Sequence, residues 1–173
     1  MESAREPEPL DAVSFTATRD LDEAGAVVIV TMLCQVPPAR RYLTGGARGG
    51  DVYIGRWLAM TLPGAEHAVV LPANRSQIDP WWDYPLPGGP VTLIEMPPGT
   101  NYADRNQRLV DEATAVYGLP AYEETDPRSL RSGTWQTIRM ARRAGKLGAW
   151  SCVKPPYPGR IEGRGFATGL PGL

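Results

Sequence analysis

The chain has 173 residues, enough for one domain with a sizeable core and too few for two. Hydrophobic residues make up 42% and charged residues 21%, a balance that excludes a disordered chain. The formal net charge of −1 gives no overall pull toward nucleic acid or an anionic membrane.

Residues 1–10 are acidic, carry Pro7 and Pro9, and contain no apolar run, so they are expected to form a flexible tail rather than a signal peptide. Ala12 to Ala17 reads as the first strand, ending in Thr18-Arg19-Asp20. In the next segment, Ala24 to Leu33, Val27-Val28-Ile29-Val30 has strand propensity. Its place between two strands calls for a crossover instead, so it is read as a buried helix. The second strand, Arg41 to Thr44, runs into Gly45-Gly46-Ala47-Arg48-Gly49-Gly50. Asp51 is then expected to cap a helix with Ile54, Trp57 and Leu58 on one face. His67 to Leu71 is the third strand. Residues 72–90, crowded with proline and holding Trp81, Trp82 and Tyr84, read as a long surface loop. Val91 to Glu95 is the fourth strand.

The helix that follows carries Arg105, Asn106 and Arg108 near its start and a stripe of Leu109, Ala113 and Val116. A fifth strand spans Ala115 to Leu119. Ser132-Gly133-Thr134 opens another helix, with Trp135, Ile138 and Ala141 facing inward and Gly145 ending it. Ala149 to Val153 is the last expected strand, and residues 155–173 are expected to be a proline- and glycine-rich tail. The alternation of strands and helices implies one α/β domain over residues 11–154: a three-layer sandwich with a mostly parallel sheet.

The chemistry-bearing residues are sparse. Cys34 and Cys152 lie far apart without metal or redox spacing, so no disulfide framework or zinc site is expected. His67 is the only histidine; it borders an apolar run, which favours a structural role. Lys146 and Lys154 are the only lysines. The remaining cations are arginines, which suit bidentate phosphate recognition, although a GC-rich coding bias explains the excess as well.

Three loops follow a strand and precede a helix: Thr16 to Arg19, Gly45 to Asp51, and Ser132 to Thr134. In a parallel sheet such loops share one edge, where helix N-termini offer free N–H groups to an anion. Glycine there lets a phosphate approach the backbone; an ordinary flexible turn is the alternative. Neither a P-loop nor a GxGxxG fingerprint is present. Arg105 and Asn106 join the same edge, or form a solvated first helical turn. Glu95 and Asp51 are the carboxylates considered for ribose contacts or acid–base work. Trp81, Trp82 and Tyr84 are considered for base stacking, against simple packing of their loop.

The ordered set Thr16-Ala17-Thr18-Arg19-Asp20, Thr44 to Asp51, Arg105-Asn106-Gln107 through Ala113, and Ser132-Gly133-Thr134 resembles the SLOG superfamily. That group joins DprA/Smf proteins and LOG enzymes in a Rossmann-like fold, and the small YspA-like branch looks most similar. The resemblance spans about residues 12–147. It implies a nucleotide or nucleotide-derived ligand held by Thr16, Thr18, Arg19, Gly45, Gly46, Ala47, Gly49, Asp51, Arg105, Asn106, Ser132, Gly133, Thr134 and Gln136.

Two positions depart from the pattern. Ala17 stands where the first loop has glycine, and Gln136 stands where LOG phosphoribohydrolases carry their first glutamate. The pocket is therefore expected to persist without the hydrolase machinery. The principal expectation is a non-catalytic nucleotide sensor or sequestering protein, with no cofactor beyond that ligand and no metal. A phosphoribohydrolase with Glu95 or Asp51 replacing that glutamate and Arg105 holding phosphate is one alternative; single-stranded DNA binding, as in DprA, is the other. With a net charge near zero, nucleic acid is not expected as a partner, nor is a membrane. A cytoplasmic location is expected, and a homodimer is considered.

Overall fold

The computed structural model describes residues 8–76, 78–80, 91–156 and 159–161. In chain order its elements are β1 (Leu10–Ala17), α1 (Glu23–Leu33), β2 (Ala39–Thr44), α2 (Gly50–Thr61), β3 (Glu66–Leu71) and β4 (Thr92–Glu95). There follow α3 (Tyr102–Glu112), β5 (Ala115–Leu119), a 3-10 turn (Pro127–Arg131), α4 (Gly133–Arg143), β6 (Leu147–Ser151) and β7 (Gly159–Ile161). The strands form one seven-stranded sheet in the order β4-β3-β2-β1-β5-β6-β7. β1 to β6 are all parallel, and β7 pairs antiparallel with β6. This is the expected α/β, Rossmann-like sandwich.

Both faces of the sheet are covered, so the central strands are buried on both sides. On one face Val13 and Phe15 of β1 pack under Ile29, Met32 and Leu33 of α1 and Ile54 and Leu58 of α2. On the other face Val116 and Leu147 meet Val110 of α3 and Trp135, Ile138 and Ala141 of α4. Each fully buried Phe, Leu or Ile of this kind contributes roughly 1.5–3 kcal/mol of transfer free energy. At Gly118 of β5 an added Cβ would run into the Ile138 side chain. Glycine there lets α4 sit close to the sheet.

The Val-rich segment 27–30 is helical despite its propensity. Asp22 caps it by accepting the Gly25 N–H, and Ile29 is fully buried while Val27 is 66% exposed. The crossover from β1 to parallel β2 decides the matter, and local preference yields to it. His67 packs structurally, as read: its ring stacks on Tyr42, and its Nε2 lies 3.0 Å from the Leu62 carbonyl.

Three local expectations are corrected. Asp51 does not cap α2; Gly49 holds that position without a side-chain bond, and Asp51 lies buried in the first turn. The stripe Leu109, Ala113, Val116 is not one helical face. Ala113 is already extended at the end of α3, the Thr114 N–H donates to the Ala12 carbonyl, and Val116 belongs to β5. Within the stretch read as a tail, residues 159–161 form β7 on the β6 edge. Trp81, Trp82 and Tyr84 lie outside the described residues. Among the described residues no helix is long and apolar enough to cross a membrane.

Candidate functional site: an arginine-lined cleft

The sheet order reverses direction around β1: the chain steps from β1 to β2 on one side and from β5 to β6 on the other. Helices leave the sheet in opposite senses at such a point and open a crevice at the carboxyl ends of the strands. Here that crevice is a cleft of about 940 Å³. The loop after β1 supplies Thr16, Thr18 and Arg19, and the loop after β2 supplies Ala47, with Asp51 behind it. The start of α3 supplies Arg105 and Asn106, and the start of α4 supplies Ser132, Gly133, Thr134 and Gln136. The structure therefore gathers these predicted residues at one place.

Gly45, Gly46 and Gly49 are not on the cleft wall. The neighbours of Gly45 and Gly49 are protein atoms. A Cβ on Gly45 would occupy the position of the Arg105 guanidinium and come within 2.8 Å of Asp51 Oδ2. Gly49 has φ +86°, and a Cβ there would lie 2.7 Å from the Arg19 carbonyl carbon. A Cβ on Gly50 would press on Ala17 and lie 2.9 Å from the Thr18 carbonyl oxygen, which accepts the Gly50 N–H. The glycines of this loop let β1, α2 and Arg105 close on one another. Glu95, the other carboxylate considered for chemistry, is also elsewhere: it pairs with Arg75 on an exposed face and does not border the cleft.

Arg105 forms the floor. It is 7% exposed, and Nη1 lies 3.8 Å from Asp51 Oδ2. That is an ion pair, but it is too long for a hydrogen bond. Among the described residues no hydrogen-bond acceptor reaches any Arg105 side-chain nitrogen, and its Nε is buried without a partner. Asp51 is held more firmly. It accepts the Ala17 N–H at 2.9 Å and the Ala47 N–H at 3.4 Å. Burial pushes its carboxyl above the usual range, against the pull of Arg105 and of these N–H groups. Burial likewise draws Arg105 below the usual arginine value, against Asp51. In both groups desolvation by burial is the larger cause and the attraction between Asp51 and Arg105 opposes it.

The start of α4 forms one wall. Ser132 caps the helix by accepting the Trp135 N–H at 3.3 Å. The Gly133 and Thr134 N–H groups remain without a partner among the described residues, as the first turn of a helix requires. A Cβ on Gly133 would meet nothing nearer than Asn106 Nδ2 at 3.7 Å, so space is open there. The preceding loop is stiffened from within. The Ser129 hydroxyl donates to the Glu124 carbonyl, the Arg139 Nη2 donates to Ser129 Oγ, and the Trp135 indole donates to the Tyr122 carbonyl.

Asp20, Arg48, Tyr102, Leu130 and Arg131 also line the wall, as do Arg139 and Arg143, which with Arg142 read in sequence as the best basic cluster for nucleic acid or as a solvated helix face. A usable signal existed for two of them. Gln136, Arg139 and Arg143 are spaced by three and four residues, which puts them on one face of α4. Among the described residues six arginines and two carboxylates, Asp20 and Asp51, border the cleft. Arg139 is engaged by Glu124, whereas Arg19, Arg48, Arg131 and Arg143 make no side-chain contact of this kind with a described residue.

No protein-family model matches the chain, and no curated protein matches it. Solved structures do. DNA processing protein A from Helicobacter pylori, described for its single-stranded DNA binding mode, superposes with a TM-score of 0.52 at 17% identity, covering 80% of this chain and 64% of that one. DprA from Streptococcus pneumoniae gives 0.54 at 16% identity, over 80% of this chain and 49% of that one. The chain thus spans about half to two thirds of the length of these neighbours, and the likeness is one of fold. It agrees with the DprA side of the resemblance read from the motifs. It also overturns the expectation that nucleic acid is not a partner class, since a protein of this fold binds single-stranded DNA. The near-zero net charge was the wrong measure: the charge that a ligand meets is that of the cleft, where arginine predominates.

Proposed function

We propose that this cleft binds the phosphate groups of a nucleotide ligand and holds the ligand without turning it over. The single observation that carries the reading is Arg105: a buried arginine at the floor of an open cleft with no hydrogen bond among the described residues. Buried polar groups normally have hydrogen-bond partners, and leaving a buried guanidinium without them is costly. A phosphate oxygen supplies the missing acceptor, in the fork geometry arginine favours. The free N–H groups at the start of α4 add donors on the same wall. Binding without turnover follows from the carboxylates: Gln136 is an amide, Glu95 is outside the cleft, Asp51 is engaged by backbone N–H groups, and Asp20 is paired with Lys154.

A second reading has its own support. Four further arginines without side-chain partners among the described residues spread the positive charge beyond what a nucleoside monophosphate would neutralise. A single strand of DNA tracking along such a groove fits that spread, and the H. pylori neighbour is a single-strand binder. The two readings separate by titration. Calorimetry with ADP and fluorescence anisotropy with a labelled oligothymidylate are run on the wild-type chain across a range of salt. A saturable ADP isotherm with intact ADP recovered afterwards supports the first. Oligonucleotide binding whose log affinity falls with log salt by about 0.7 per phosphate contacted supports the second. Release of free adenine would contradict both, and binding of neither probe would remove the nucleotide reading.

A further inference from the structure

We infer that Gln136 is a fixed hydrogen-bond donor to the ligand, held in that sense by Asn106; the inference rests on the nucleotide-phosphate reading of the cleft. The Gly133 carbonyl can only accept a hydrogen bond, and Asn106 Nδ2 lies 3.4 Å from it. The Asn106 amide therefore turns its NH₂ toward α4 rather than its oxygen. The same Nδ2 lies 3.2 Å from Gln136 Oε1. Because Asn106 presents only donors on this side, Gln136 must answer with its oxygen. The Gln136 NH₂ is then the end left over, with no partner among the described residues, on a side chain that borders the cleft.

The relay has a chemical consequence. Asn106 is buried, so its amide is held in place. Gln136 stands one residue beyond Trp135, whose N–H Ser132 caps, and it lines the same cleft as Gly133 and Thr134. A ligand atom there must be an acceptor: a phosphate oxygen, or a carbonyl or ring nitrogen of a base. A glutamate at this position would also accept the Asn106 hydrogen bond. It would then face the ligand with a second acceptor and a negative charge. The amide is thus suited to an anion that a carboxylate would repel.

The test uses this difference. Gln136→Glu keeps the size of the side chain and the acceptor for Asn106, so the domain folds; Gln136→Met keeps the size and removes donor and acceptor together. Each is titrated with ADP and with the labelled oligothymidylate at low and high salt, beside Gly133→Val. Gln136→Met is expected to bind about tenfold more weakly, the effect of one lost bond to a charged acceptor. Gln136→Glu is expected to be weaker still, with the gap between the two narrowing as salt rises. A merely structural Gln136 would not produce that order, because the glutamate preserves the Asn106 contact. Wild-type affinity in Gln136→Met, or equal or tighter binding by Gln136→Glu, with Gly133→Val impaired, overturns this inference and leaves the cleft reading standing. Binding of neither probe by the wild type overturns both.

Discussion

The molecule has two glycine-containing loops at the same sheet edge, and they use glycine in opposite ways. In the loop from Gly45 to Gly50, a Cβ on Gly45, Gly49 or Gly50 would meet protein: Arg105, the Arg19 backbone and Ala17 respectively. At Gly133 a Cβ would meet open space beside Asn106. The first loop is a packing device that positions the floor of the cleft; the second leaves room where a ligand can reach free N–H groups. A glycine-rich stretch after a parallel strand is thus not in itself a ligand contact. What a Cβ would strike decides its meaning.

The sharpest way to break this contrast is to substitute one glycine from each loop. Gly49→Ala places a side chain in a left-handed conformation and against the backbone of Arg19. We expect a loss of about 3 kcal/mol from strain and overlap together, which lowers the melting temperature by roughly 10 °C in a domain of this size. Differential scanning calorimetry measures it. Gly133→Val should leave the melting temperature nearly unchanged and weaken ADP or oligonucleotide binding about tenfold or more, read by calorimetry. A stable Gly49→Ala, or a Gly133→Val that unfolds, would dissolve the distinction.

A smaller effect is expected within the core that supports the site. Gly118→Ala pushes Ile138 and so α4 away from β5; overpacking of this kind costs roughly 1–3 kcal/mol. Urea unfolding should show a lower midpoint with an unchanged slope. The smallest expected effect is at the rim. Arg143→Ala should barely change stability and should reduce the salt dependence of oligonucleotide binding by about 0.7 in log–log slope, one cation's share. An unchanged slope would take Arg143 out of the contact surface.

Much of the architecture was legible because topology constrains it. The segment containing Val27 to Val30 had to be helical to join parallel strands, and Ala115 to Leu119 was readable as a strand from its apolar run. The site loops were legible for the same reason: a parallel sheet sends all of them to one edge. Side-chain partnership was not legible. Asp51 looks like a helix cap in sequence, yet it turns inward to the Ala17 and Ala47 N–H groups and faces Arg105, a pairing made across distant segments. Glu95 ends a strand at the right edge, but β4 is the outermost strand, so it falls beside Arg75 and not in the cleft. The antiparallel β7 was hidden by the proline and glycine around it, because three residues on a sheet edge need no long apolar run. The arginines of the rim were masked by averaging. Whole-chain charge cancels, while the cleft concentrates one sign.

On the proposed reading Arg105 lacks a hydrogen-bond acceptor because the ligand supplies it, while Asp51 is its ion-pair partner at 3.8 Å. The most direct measurement is calorimetric titration of ADP into the wild-type chain and into Arg105→Lys, with melting temperatures of both recorded. Lysine keeps the positive charge opposite Asp51 but loses the planar fork. The account predicts a saturable wild-type isotherm, a loss of about tenfold or more in Arg105→Lys, and a folded variant. Equal affinity in the two proteins, with both folded, would contradict it and leave Arg105 as a structural partner of Asp51 alone.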